Sequence, residues 1–411
     1  MHFKSFTPGT LFWCAWTIAL ALNLTLAALL PGTSDVQFYA GYGQIYARFG
    51  VARAYASNEI FNIPPMAAAF SGLLATVFGP GSMLFAFFLR LPGILAESVL
   101  AIVLRRQRRC SAAVAALFVL NPLSVAINGY HGNLDGLMAV FIGAALLAAA
   151  SQRPVASGVW LGLAANLKVA PVLLGPAFLL WWLCRDAAPD RPGAVGMTGR
   201  RAALRFSLAC AAVVLAGWSP ALVACPALFA HRVLAYSSIW GQWGVSRLLY
   251  LTGSENFHAI TYGAPSPLAG SISSILKIIV IALASALAWR RRLLNATGLC
   301  ATIAATWVLF LVLTPAASPQ YLIWPLLPLL LSYPRLGLAY ALLSIPALAF
   351  YYSPLTAFLL PANPLPTLAA HVPWLSGPQA WTWPALALWA YLGAVLIWQF
   401  PAWWKATSPR Q

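Results

Sequence analysis

Residues 10–30, TLFWCAWTIALALNLTLAALL, carry no charge and are long enough to cross a bilayer as a helix, since a span needs about 20 mostly apolar residues. Only Lys4 precedes the run as a basic residue, and the run exceeds a signal-peptide core, so it reads as an uncleaved anchor. The pattern recurs. Apolar stretches cover 64–79, 82–104, 111–128, 134–150, 155–184, 207–224, 271–289, 295–315, 321–332, 336–352 and 381–400. Composition agrees, with 61% hydrophobic and 8% charged residues among 411, where soluble domains carry roughly 25% charged residues. A soluble globular protein is excluded, and so is a disordered chain, which would be poor in apolar residues. Lipid admits only helices or closed barrels, and these runs lack the alternation of barrel strands. The expected class is therefore an all-α polytopic membrane protein.

Orientation follows from the basic residues. Lys4, the RRQRR run at 105–109, Arg153, the 185–205 loop, the RRR run at 290–292, Arg335 and the tail hold seventeen of the 24 Lys and Arg. The opposite loops hold only Arg48, Arg53, Arg232 and Arg247. Placing the basic side in the cytoplasm puts the N-terminus inside. It also accounts for the net charge of +17 without a nucleic-acid partner. Two places complicate the count. The 64–79 run would be a helix of only about 24 Å, and 155–184 must cross an even number of times, with Lys168 and Pro171 where a break would fall. Eleven to 13 spans are expected on this parity argument. The whole of 1–411 reads as one transmembrane domain. Its catalytic half is 10–224, with the first external loop at 31–63, and 225–411 adds an external loop and C-terminal helices.

The seven acids sort by side. Asp186 and Asp190 sit among cytoplasmic arginines. Glu97 follows Arg90 by two helical turns and is expected to form a structural charge pair with it. Asp35, Glu59, Asp135 and Glu255 fall outside. Asp35 lies five residues after the first span, held near the membrane surface, and is either a helix N-cap or a catalytic carboxylate. The tyrosines from Tyr39 to Tyr55 suggest amphipathic helices at the interface. In NGYHGNLDG (128–136), His131 and Asp135 are four apart, which would place them on one helical face with Asn133 between. Lys168 is a cation in need of an anion, a lipid phosphate or Glu97. Gln320 and Tyr321 mark the external rim, and Lys277 a snorkelling cation. The six cysteines show no paired spacing, and no metal or cofactor site is expected.

These features in this order resemble the GT-C class of membrane glycosyltransferases, and most of all bacterial glycosyltransferase family 87, the polyprenyl-phosphate-mannose-dependent type. The resemblance is carried by Asp35, the Tyr-rich stretch ending at Pro64-Pro65, Arg90-Leu-Pro92 with Glu97, Asn121-Pro122 with HGNLD (131–135), and Gly162 with Lys168 and Pro171. Tyr236 to Gly244 and SPQYLIW (318–324) complete it. Glu97 stands where the family more often has Asp, and the first loop offers one Asp without a paired neighbour. The resemblance implies a GT-C-like helical bundle in a bacterial inner membrane, with its active site facing outward. It implies an inverting hexosyltransferase that moves a sugar, expected to be mannose, from a polyprenyl-phosphate donor to an envelope glycan or glycolipid. Asp35 would be the general base. His131, Asn133, Asp135, Lys168, Tyr236, Trp243, Arg247, Gln320 and Tyr321 would bind substrate, with Arg232, Arg247, Lys168 and Lys277 as cations for the leaving phosphate. A transporter or flippase for lipid-linked substrates is the alternative, although no internal repeat supports it. A non-catalytic subunit is the third.

Overall fold

Small polar residues start the apolar helices. In the computed structural model, Thr7 accepts from the Thr10 amide at the head of α1 (Pro8–Leu29), and Ser82 does the same for α4 (Met83–Arg106). Ser111 caps α5 (Ala112–Val119), and Asn295 caps the helix Ala296–Leu313. Each cap satisfies a backbone donor that the helix itself leaves unpaired. The structure describes residues 7–57, 61–107, 110–187, 197–236, 238–360 and 381–405. Glu59, Asp190 and most of the Pro-rich 353–379 stretch lie outside these.

The chain is an all-α polytopic membrane protein, and a two-residue ribbon pairing Ile239–Trp240 with Thr261–Tyr262 is a minor exception. Among the described residues eight helices are long and apolar enough to span a bilayer. Four shorter apolar helices join them: α3 (Pro65–Phe78), α7 (Asp135–Ala150), α8 (Pro154–Leu167) and the segment Ala170–Leu183, and the one-turn α6 (Pro122–Ser124) follows α5. The 155–184 run breaks at Lys168, whose backbone is extended, into two short helices. The 321–332 run forms no span; it is a 3-10 turn, Pro319–Ile323, followed by the short helix Leu326–Ser332.

The described chain forms two compact units. One takes Met1–Val172, Leu204–Leu234 and Leu327–Leu338; the other takes the remainder. In the first unit, α2 (Ser34–Ser57) kinks at Gly50 and packs on α3. Three of its four tyrosines face protein, and Tyr46 is half-buried. Tyr39, Tyr42 and Tyr55 are buried, with Tyr42 and Tyr55 edge-on to Phe61 at 4.5 and 4.8 Å. Tyr55 also donates to the Ile63 carbonyl at 2.7 Å. Protein contact on that face explains the difference: a Tyr stripe anchors at the interface only where lipid is its neighbour.

Buried asparagines recur opposite glycines in the first unit. Asn23 faces Gly129, Asn128 fits against Gly93 and Gly136, and Asn166 against Gly217, each glycine leaving the space a β-carbon would occupy. Asn166 donates to the Gly162 carbonyl at 3.1 Å and the Val213 carbonyl at 2.8 Å. Small residues admit close helix approach in an apolar medium, and amide side chains hydrogen-bond across it.

Candidate active site

Two short turns of the same design meet in the first unit. Gly32-Thr33-Ser34-Asp35 leads into α2, and Gly132-Asn133-Leu134-Asp135 leads into α7. Gly32 and Gly132 have positive φ of 85° and 88°, and a β-carbon on either would strike the Val36 side chain. Glycine meets both demands. After each glycine a polar side chain caps the aspartate backbone: Thr33 Oγ1 accepts from the Asp35 amide at 3.3 Å and Asn133 Oδ1 from the Asp135 amide at 3.0 Å. Both carboxylates thus fall in the first turn of a helix, where the helix dipole favours negative charge.

The turns are tied together. The Thr33 amide and hydroxyl donate to the His131 carbonyl at 3.1 and 2.8 Å. That brings the His131 ring over Asp35, with Nε2 to Oδ2 at 2.9 Å. Lys168, at the break after α8, reaches Asp135 with Nζ to Oδ2 at 2.9 Å. Exposure separates the two pairs. The Asp35 side chain keeps 27% of its surface and His131 3%, whereas Asp135 keeps none and Lys168 18%. Of the two carboxylates, Asp35 is the accessible one.

The surroundings of Asp35 set its charge. Burial disfavours ionisation, but His131 by charge and hydrogen bond, then Lys168 and the Asn133 side chain, more than offset it. Its pKa therefore lies below the ordinary carboxylate value. Burial raises the pKa of Tyr39, whose hydroxyl lies within the field of Lys168, Asp135 and Asp35. It stays a neutral phenol beside the cluster.

Several expectations change. The N-cap role considered for Asp35 belongs to Thr33, and the Asp35 carboxylate pairs with His131 instead. His131 and Asp135 do not share a helical face, because His131 ends a π-helical segment, Val125–His131, and Gly132 turns the chain by its left-handed conformation. The Arg90–Glu97 pair is not formed. Arg90 Nη1 donates to the Gly129 and Tyr130 carbonyls, both at 3.1 Å, and Nη2 to the Leu30 carbonyl at 2.7 Å. Glu97 Oε2 instead accepts from the Ser124 hydroxyl and, at 2.8 Å, from the Asn128 amide. With Glu97 so engaged, the anion that Lys168 meets is Asp135.

The other residues expected at the site belong to the second unit and are mostly engaged within it. Arg247 is 3% exposed and donates to the Gly241 carbonyl at 3.0 Å and the Thr382 hydroxyl at 2.5 Å. Trp243 donates to the Leu311 carbonyl at 2.8 Å. Lys277 donates to the Ala235 and Tyr236 carbonyls, both at 3.1 Å, so it braces a loop. Gln320 and Tyr321 are buried on the 3-10 turn, where Tyr321 stacks on Trp324 at 4.2 Å. Arg232, in the first unit, sits half-buried on the π-helical turn Ala230–Leu234. Sequence reasoning missed Thr33, Gly32 and Gly132. The repeated Gly-x-x-Asp pattern at 32–35 and 132–135 was the available signal.

An accessible carboxylate held by a buried imidazole at the end of a first span is a site equipped for proton transfer in a multi-pass membrane protein. Comparison with known proteins is consistent with such a class. Residues 65–237 match the family model described as GPI transamidase subunit PIG-U, less than half of the chain. A stretch of 128 residues is 33% identical to GPI mannosyltransferase 1 of Aspergillus fumigatus, covering 31% of this chain and 29% of that protein. The proteins of the same name from Neurospora crassa and Aspergillus oryzae are 35% identical over 74 residues and 36% over 69. These cover 18% and 17% of this chain and 15% and 16% of the relatives. The matches thus span less than a third of the length of these curated relatives.

Proposed function

We propose that the protein is a GT-C-type membrane glycosyltransferase that moves a sugar, mannose, from a polyprenyl-phosphate donor to a glycan or glycolipid acceptor. The observation that carries this reading is the Asp35–His131 pair, with its partly exposed carboxylate five residues past the first span. The name GPI mannosyltransferase 1, shared by three relatives, supports the sugar and the reaction class. The likeness to bacterial family 87, and with it the bacterial inner membrane, rests on the order of the motifs, and the outward-facing site on the basic-loop bias.

In this mechanism the acceptor hydroxyl gives its proton to Asp35 while its oxygen bonds to the anomeric carbon from the face opposite the phosphate. The bond from that carbon to the phosphate oxygen breaks, and its electron pair leaves as polyprenyl phosphate. Asp35 then returns its proton to water. The hydroxyl acidifies as the new bond forms, so a carboxylate of low pKa suffices as acceptor late in the step. His131, almost wholly buried, orients Asp35 and does not itself contact the sugar. Lys168 keeps part of its side chain exposed and supplies positive charge beside the leaving phosphate. Asp135 and Asn133 hold Lys168 and the second turn in place.

The test is Asp35→Asn in the full chain, purified in lipid and assayed with polyprenyl-phosphate-mannose and envelope acceptors. Transfer and release of polyprenyl phosphate are expected from the parent and a loss of about 100-fold or more from the variant. A variant as active as the parent ends the role of Asp35. A second reading, a non-catalytic subunit, is favoured by the description of the matching family model. It predicts that polyprenyl-phosphate-mannose releases no polyprenyl phosphate and that Asp35→Asn leaves the protein's assembly unchanged.

A further inference from the structure

Arg90 and Glu97 have the spacing to hold each other, and they instead hold the same third segment. Both project from α4. Glu97 grips the start of the 122–131 stretch through the Ser124 hydroxyl and the Asn128 amide. Arg90 grips its end through the Gly129 and Tyr130 carbonyls, immediately before His131. The same guanidinium takes the Leu30 carbonyl at the end of α1, two residues before Gly32. That carbonyl is an orphan of the α1 terminus, which has no basic residue of its own in its last turn. With Nε on Ala86 of its own helix at 2.9 Å, Arg90 spends four donors on four carbonyls while only 1% exposed.

The geometry points to Arg90 and Glu97 as positioning residues that set the Asp35–His131 contact, a role that rests on the proposed function only for its catalytic consequence. One planar, pre-organised fork fixes both chain entries to the site, the one into Gly32-Asp35 and the one into His131-Gly132. Glu97 keeps the π-helical segment from sliding along α4, which would carry His131 away from Asp35. Neither residue touches the reacting groups. A lysine at 90 keeps the charge but lacks the fork, and one ammonium cannot serve the Leu30 and Tyr130 carbonyls in the same geometry.

Two readouts test the proposal on the full chain in lipid nanodiscs. The first is the pH titration of the His131 imidazole by NMR, practical because the chain has five histidines. The groups facing the Asp35–His131 pair are Thr33 and Tyr39 from the α2 side, Asn133 and Asp135 from the α7 side, and Lys168 after α8. Arg90→Gln is expected to move the His131 titration toward that of Asp35→Asn, with Arg90→Lys intermediate. Glu97→Leu follows Arg90→Gln, whereas Glu97→Gln, which keeps an acceptor oxygen, stays near the parent. The second readout is transfer: Arg90→Gln lowers kcat by about 10- to 100-fold, the scale of a small misplacement, with KM for the donor little changed.

If Arg90→Gln and Glu97→Leu leave the His131 titration at its parent value, the proposal fails whatever happens to activity. A loss confined to KM likewise overturns it. Should Asp35→Asn remain active while the titration shifts as expected, positioning stands and the catalytic reading falls. If the arginine variants do not fold, the contrast between Glu97→Leu and Glu97→Gln decides: a shift in the leucine variant alone upholds positioning, and equal titrations overturn it.

Discussion

The two Gly-x-x-Asp turns are alike in sequence and backbone and opposite in solvent access. Each begins with a left-handed glycine, caps its aspartate amide with a side-chain oxygen and meets a basic partner at 2.9 Å. One aspartate is 27% exposed on a buried histidine; the other is fully buried on a partly exposed lysine. In the first pair the acid faces outward, and in the second the base does. The same local motif therefore presents a proton acceptor at one place and a cation at the other, and the partner's burial decides which.

The sharpest way to break this comparison is to make the same change in both turns. Asp35→Asn is expected to abolish most transfer and leave the fold intact. Asp135→Asn should do the reverse first, lowering stability by about 3 kcal/mol, because removing one member of a buried pair strands the other charge. Thermal unfolding in detergent checks this, and equal stability losses in the two variants would erase the distinction between the turns.

His131→Gln comes next in size. The ionised Asp35 is the form that His131 favours, so its contribution is complete above the unfolded carboxylate pKa and is lost as pH falls through the lower folded value. Removing His131 raises that folded value, so the acid limb of the transfer profile should move to higher pH. A limb that stays in place would show that His131 does not tune Asp35. The smallest effect is expected from the caps. Thr33→Ala and Asn133→Ala should each cost about 1 kcal/mol of stability. Only Thr33→Ala also loses the hydroxyl bond to the His131 carbonyl, so it should lower kcat several-fold more than Asn133→Ala.

Much of the architecture was legible because bilayer spans write themselves as long apolar runs; the Thr, Ser and Asn caps at their starts were not read. The break of 155–184 at Lys168 followed from a charge and a proline in one run. The site was legible only by residue. Asp35, His131, Asn133, Asp135 and Lys168 all stand out in the sequence, but their partners do not, since Asp35 and His131 lie 96 residues apart. Spacing misled in two places for a shared reason: it describes one helix, and the contacts lie elsewhere. Arg90 and Glu97 do lie two turns apart on one side of α4, yet both face the 122–131 segment. His131 and Asp135 have helical spacing across a glycine that ends the helix. The tyrosine stripe of α2 was real, and what it could not say was whether lipid or protein lay against it.

The reach of Arg90 has a consequence for biogenesis. The Leu30 carbonyl leaves the ribosome long before Arg90, and Arg90 before the Gly129 carbonyl, 39 residues later. Until the 122–131 segment enters the bilayer, the guanidinium has only Leu30 and Ala86 to bind, and Asp35 has no imidazole. Membrane insertion thus includes a stage in which Arg90 on its span and Asp35 beyond the first span precede companions that are still being translated. The Asp35–His131 pair is completed only when that segment arrives, and a nascent protein truncated before Tyr130 would display the carboxylate without the means to aim it.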